Sequence, residues 1–120
     1  MNDEFAAEVR PSGGLAVVSL HGVIDRTAAD AFNEAFDEAA ETAEIILLDF
    51  GDVGYINSTG IAVIVGVLAR ARTSSKTVRA CNLSDHYREI FNITRLADFV
   101  TIYDDEMAAL AAARQGVKTE

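Results

Sequence analysis

The chain has few of the residues from which reactive centres are built. It holds one cysteine and two histidines in 120 residues. The single thiol, Cys81, excludes an internal disulfide and any cysteine metal cluster. His21 and His86 lie far apart without a repeated ligand spacing, so a zinc site is not expected. Half of the residues are apolar, yet every apolar run breaks well short of the roughly 18 residues a membrane helix requires. The opening Met1-Asn2-Asp3-Glu4 lacks the positive-then-apolar order of a signal peptide, so a cytoplasmic protein is expected. No internal repeat or low-complexity linker divides the sequence, and its length fits one domain over residues 1–120 with a core of about 5–112.

Positive charge is scarce where negative charge is dense. The net charge is −9, and residues 1–60 contain 12 acidic but only 2 basic side chains, against 7 acidic and 8 basic in residues 61–120. Nucleic acid and anionic membrane would be repelled by that first half, whereas a basic protein surface would be attracted. Acidity also serves solubility and by itself names no partner.

Strand and helix periods alternate along the chain. Phe5 to Val9 and Leu15 to Leu20 read as strands around the turn Pro11-Ser12-Gly13-Gly14, an N-terminal hairpin. Asp25 or Thr27 can start a helix with Ala28, Ala31, Phe32, Ala35, Phe36 and Ala39 at helical spacing. Ile45 to Phe50 is a strand covered on both faces. Gly60 to Arg72 is helical, with Ile61, Ile64, Val65 and Leu68 as the inward stripe; its β-branched residues are poor helix formers, so burial must hold it. Thr77 to Cys81 forms the next strand, Leu83-Ser84-Asp85 opens a short helix through Phe91, and Asn92 to Ala97 connects to a last strand, Phe99 to Tyr103. Asp104-Asp105-Glu106 then begins a terminal helix with acids in its first turn. The order predicts an α/β fold with a mostly parallel sheet. Right-handed crossovers place most helices on one side if there are two layers. The first few residues and the tail from Gln115 are expected to fray.

The tetrad Asn57-Ser58-Thr59-Gly60 stands between the apolar stretches Ile45 to Phe50 and Ile61 to Leu68, where a strand gives way to a helix. A helix start exposes backbone N–H groups without intrahelical partners, and Asn57 or Ser58 can cap them, or a modified hydroxyl can bring an anion to them. Both readings use the same residues. A nucleophilic Ser58 would need a base that no local sequence supplies. Gly51-Asp52-Val53-Gly54 through Gly60 lacks the lysine of a phosphate-binding loop. Gly60 suits close approach of the helix to neighbouring backbone. His21, beside Gly22, reads as a strand-edge or turn residue, His86 as exposed, and Cys81 as a small core residue.

Three stretches together carry a family resemblance: Val18-Ser19-Leu20-His21-Gly22-Val23-Ile24-Asp25, Ile45-Ile46-Leu47-Leu48-Asp49-Phe50, and Val53-Gly54-Tyr55-Ile56-Asn57-Ser58-Thr59-Gly60-Ile61. They resemble the STAS domains of bacterial anti-sigma factor antagonists. Cys81-Asn82-Leu83-Ser84 and Ile90-Phe91-Asn92-Ile93-Thr94-Arg95-Leu96 are similar in order and spacing to the family's later elements. The resemblance implies a four- or five-stranded sheet backed by about four helices, acting as a binding module without catalysis or cofactor. It implies that unmodified Ser58 permits binding to an anti-sigma factor serine kinase, that the kinase phosphorylates Ser58 and so releases the antagonist, and that a cognate phosphatase resets the switch. Asp25, Asn57, Thr59 and Gly60 form the implied phosphosite surroundings. The family commonly has Asp before the serine; here it is Asn57, which caps nearly as well but removes one negative charge.

Partner contact is expected from the acidic helix bearing Asp30, Glu34, Asp37 and Glu38 and from the loop Gly54 to Gly60, with Tyr55 and Ile56. The alternative is a STAS-like scaffold or adaptor whose Ser58 is never phosphorylated. A small enzyme or ligand-binding domain is disfavoured, since no base, metal set or complete cofactor loop accompanies the helix start. Oligomeric state is not legible.

Overall fold

Alternation of apolar side chains along two long central strands organises the molecule. A computed structural model describes residues 4–114. Strands β1 (Ala6–Ser12) and β2 (Leu15–Ile24) form the hairpin, followed by a 3-10 turn (Arg26–Ala28) and helix α1 (Ala29–Thr42). Strand β3 (Ile45–Ile56), helix α2 (Ser58–Thr73) and strand β4 (Thr77–Cys81) come next. Helix α3 (Asp85–Ile93), a second 3-10 turn (Leu96–Asp98), strand β5 (Thr101–Tyr103) and helix α4 (Glu106–Arg114) complete the order. The sheet runs β1-β2-β3-β4-β5, antiparallel at β1 and β2 and parallel thereafter.

The hairpin turns on Gly13 and Gly14, whose φ angles of 54° and 94° fall where glycine is favoured. Ala16, Val18, Leu20, Ile46, Leu48 and Phe50 face α1, α2 and α3 in the main core. Leu15, Val17, Leu47 and Cys81 point the other way, onto Ala109 and Leu110 of α4. The expectation that most helices share one side therefore holds for three of them, and α4 adds a third layer. Coverage on both faces is why β2 and β3 begin as unbroken apolar runs.

Several elements depart from the sequence reading for identifiable reasons. Strands β2 and β3 extend past their apolar runs, to Ile24 and Ile56, because each continues to pair with the other through two register shifts. Backbone pairing needs no hydrophobicity, so periodicity does not reveal it. In α1, Phe32, Ala35, Phe36 and Ala39 are buried, while Ala31 faces outward. In α2 the buried stripe is Gly60, Ile64, Val67 and Ala71. Ile61 and Leu68 flank it, and Val65, expected inside, is 47% exposed. The stripe is rotated from the expected one, because the first turn seats Gly60 against the Ile24 carbonyl. Helix α3 runs two residues beyond Phe91, the last strand is shortened to Thr101–Tyr103, and a 3-10 turn, Leu96–Asp98, ends just before the expected strand start at Phe99. Arg95 takes a left-handed conformation, φ 68°, where that turn begins. The expected fraying of the first residues and of the tail from Gln115 lies outside the described residues.

Candidate functional site at the start of helix α2

Asn57 is the capping residue, and its extended backbone ends the strand as the helix begins. Its side-chain oxygen accepts from the Gly60 N–H at 2.8 Å and from the Thr59 hydroxyl at 2.8 Å. The Asn57 carbonyl accepts the first helical bond, from Ile61 N–H at 3.0 Å, and the Asn57 N–H donates to the Ile24 carbonyl at 3.3 Å. These bonds use the third and fourth N–H groups of the helix. Those of Ser58 and Thr59 remain at its open, electropositive end.

Ser58 is exposed as the first residue of α2, and its hydroxyl makes no hydrogen bond to another described residue. Thr59 differs sharply. Its hydroxyl donates to Asn57 and also accepts from the Arg26 N–H at 3.0 Å. Of two adjacent hydroxyls, one is built into the cap and the other projects from it.

Gly60 fixes how closely the helix approaches the sheet. A Cβ there would stand 1.9 Å from the Ile24 carbonyl oxygen. No side chain fits that gap, which explains a glycine in the first turn without any unusual backbone angle.

Asp25 caps the neighbouring 3-10 turn, and its carboxylate faces Thr27, accepting from that residue's N–H at 2.9 Å and from its hydroxyl. Bonding to Thr27, chiefly through the hydroxyl, holds the Asp25 pKa below the usual carboxylate range. Asp25 thus caps its own turn, and it is the following residue, Arg26, whose backbone touches Thr59. Tyr87 of α3 supports the site from below: its hydroxyl accepts the Ile56 N–H at 2.9 Å, one residue before the cap. Neither Arg26 nor Tyr87 was legible as a site residue, since both contacts join segments more than thirty positions apart.

The anticipated contact residues separate. Gly54 and Tyr55 are exposed, with Tyr55 at 56%, whereas Ile56 is only 5% exposed and belongs to the core. Asp30 and Glu34 lie exposed on α1. Asp37 is engaged by Arg70 of α2 through two bonds of 2.7 Å, which lower the Asp37 pKa.

The remaining reactive groups stand apart from Ser58. His21 Nδ1 lies 3.2 Å from Asp52 Oδ2, and His86 is exposed on α3 against the Tyr87 ring. Burial pushes the Cys81 thiol up to about 12, so it stays protonated and unreactive. Gly51 to Gly54 is strand, not a phosphate-cradling loop. Among the described residues no group of His, Cys, Asp and Glu could hold a metal ion, and no helix is long and apolar enough to cross a membrane.

A five-stranded, mostly parallel sheet backed by helices, with an exposed serine at the capped start of α2, is the class of domain that this fold and site define. The family model described as "Mlab, STAS domain" matches residues 8–102. The anti-sigma-B factor antagonist of Listeria monocytogenes is 33% identical over 90 residues, covering 74% of this chain and 79% of that protein. The chain belongs to the STAS-domain family of anti-sigma factor antagonists. Its fold is similar to that of an anti-sigma factor antagonist from Mycobacterium paratuberculosis, with a TM-score of 0.78, 22% identity, and coverage of 95% of this chain and 97% of that one. It is also similar to the Bacillus cell fate determinant SpoIIAA in its phosphorylated form, with a TM-score of 0.63, 18% identity, and coverage of 88% and 96%. Domains of this family are regulatory scaffolds rather than catalysts.

Proposed function

We propose that this protein is a cytoplasmic anti-sigma factor antagonist that binds an anti-sigma factor serine kinase while Ser58 is unmodified and leaves it once Ser58 is phosphorylated. The observation that carries this reading is the contrast between the two hydroxyls. Ser58 is exposed at the first position of α2 with its hydroxyl unbonded among the described residues, whereas Thr59 is engaged twice. A kinase would transfer the terminal phosphoryl group of ATP to Ser58 Oγ; the new O–P bond replaces the bond to ADP, and the hydroxyl proton leaves to the kinase. A cognate phosphatase would hydrolyse the ester and restore the binding form.

The phosphate brings about −1.5 to −2 charges and three acceptor oxygens. At the helix start it meets the N–H groups of Ser58 and Thr59, so the modified form is tolerated within the domain. At an interface formed with Gly54 and Tyr55, the same dianion must be desolvated, and that weakens the complex. Asn57 in place of a carboxylate keeps the cap neutral, which reduces repulsion inside the phosphorylated form.

Incubation with candidate anti-sigma kinases and ATP, followed by intact-mass measurement, tests the assignment. The expected result is one added phosphate, retained in Thr59→Ala and absent in Ser58→Ala. Loss only in Thr59→Ala would assign the other hydroxyl. Partner binding unchanged in both Ser58→Ala and Ser58→Asp would favour an unregulated STAS scaffold.

A further inference from the structure

The 32 residues between Asp52 and Asp85 contain no aspartate or glutamate, in a chain with 19 acidic side chains and 10 basic ones. All of α2 and β4 fall within that stretch, as do Arg70, Arg72 and Lys76. The C-terminal half of α2 and the segment after α3 enclose a groove of about 710 Å3. Val65, Leu68, Ala69 and Arg72 form one wall, at the spacing that aligns side chains along a helix. Phe99 stands in the opposite wall. Val65 is 47% exposed and Phe99 59%, so the groove presents large apolar surface to solvent.

Its charge is the reverse of the molecule's. Arg72, Lys76 and Arg95 line it against one acid, Asp98. Arg95 is bonded to Asp98 at 2.7 Å, and Lys76 to the Ala43 carbonyl and Glu44 at 3.2 and 3.4 Å. Arg72 is exposed and makes no ion pair among the described residues. A matching occupant needs an apolar ridge beside an uncommitted acid.

The acidic helices of this chain do not supply that combination: α3 sets Ile93, 71% exposed, beside Glu89, but one exposed apolar side chain makes no ridge. The outer face of α1 carries Asp30, Glu34, Glu38 and Glu41 but no large apolar side chain. Helix α4 exposes Met107, but its neighbouring acids are in use: Glu106 by Arg10 and Ser12, Asp104 by Arg88, and Asp105 as a cap for Ala108.

We propose that this groove receives an amphipathic helix of another protein, its apolar face against Val65, Leu68 and Phe99 and an acidic flank toward Arg72. Helix insertion between a helical ridge and an opposing wall is a recurrent recognition mode read at spacings of three, four and seven. The α2 wall of the groove begins about 10 Å and ends about 21 Å along the helix from Ser58, from the rise of 1.5 Å per residue. Occupation there is compatible with a partner at the switch end, and the domain then joins two proteins through one helix.

The test is an NMR titration of the full-length protein with a helical peptide of about 18 residues, bearing leucines at i, i+3, i+4 and i+7 and glutamates on the flanks, alongside its counterpart with lysines for glutamates. Saturable shifts confined to residues 65–72 and 94–100 are expected with the acidic peptide, with the lysine peptide weaker by about threefold to tenfold. Arg72→Glu, at an exposed position, should reverse that preference, and the uncharged Val65→Ser should weaken both peptides. Equal affinity of the two peptides for the unmodified protein overturns the proposal without recourse to any variant. Shifts centred on Ser58 or α1, or the absence of saturable shifts, also overturn it, and concentration-dependent shifts at the groove without peptide would give the surface to a second copy instead.

Discussion

Replacing Gly60 by alanine separates two opposing influences on α2. Helix propensity favours alanine over glycine by about 0.8–1.0 kcal/mol. The tertiary contact opposes it: the added Cβ would lie 1.9 Å from the Ile24 carbonyl oxygen, 2.6 Å from its carbon and 3.1 Å from Ile56 Cγ2. Relief requires the first of these to open to at least 3.0 Å. Ile24 cannot yield freely, because it pairs with Ile56 at the end of the β2–β3 ladder and its carbonyl accepts the Asn57 N–H at 3.3 Å. Overpacking costs about 1–3 kcal/mol and loss of the Asn57 bond about 1 kcal/mol more. After the propensity gain, a net destabilisation of about 1–3 kcal/mol is expected, a fall in Tm on the order of 4–12 °C for a domain of this size. Gly66 lies in the same helix, exposed, with nothing within 4 Å of its built Cβ. Gly66→Ala should therefore stabilise by about 0.5–1 kcal/mol. Urea and thermal unfolding of both variants read the two signs, and a Gly60→Ala protein as stable as the parent would refute the close-approach reasoning.

At the cap, Asn57→Ala should destabilise by about 1 kcal/mol, whereas Asn57→Asp should keep the bonds and gain about 0.3–1 kcal/mol from a charge at the helix start; urea midpoints distinguish them. Reversing Asp30 and Glu34 to lysine should slow association with the proposed kinase partner more than it speeds dissociation, with a weaker salt dependence; stopped-flow rates insensitive to both reversal and salt would reject α1 as a docking element. Glu106 is held below the usual glutamate range chiefly by its bond to Arg10. Its depressed value means that its stabilising contribution is present above glutamate's ordinary pKa and is lost as pH falls through the lowered one. Arg10→Met should flatten the acid limb of the stability profile in that window, and an unchanged slope by urea titration would show that the pair is screened.

Much of the architecture was legible because burial imposes periods that a sequence displays. The unbroken run Ile45 to Phe50 marks a strand covered on both faces, and Phe32, Ala35, Phe36 and Ala39 mark one face of a helix. Helix starts were legible for the same local reason: Asn57 or Ser58 as a cap, and Leu83-Ser84-Asp85 and Asp104-Asp105-Glu106 as openings; in the structure Asn57, Ser84 and Asp105 each accept from an N–H three residues on. Position within the chain therefore sufficed to locate Ser58 at a helix start.

What lies across the chain was not legible. The inward rotation of α2 depends on Gly60 meeting Ile24, a contact between segments whose patterns are silent about one another. Ile56 looks like part of an exposed loop in the sequence and is buried because β2 and Tyr87 hold its backbone. The distinction between Ser58 and Thr59 rests on a hydrogen bond from Arg26, 33 positions away. Local propensity and apolar period thus determined the elements, their order and the place of the candidate switch. Tertiary structure decided which hydroxyl is held by a bond from across the chain, because hydrogen-bond satisfaction is settled among groups that only folding brings together.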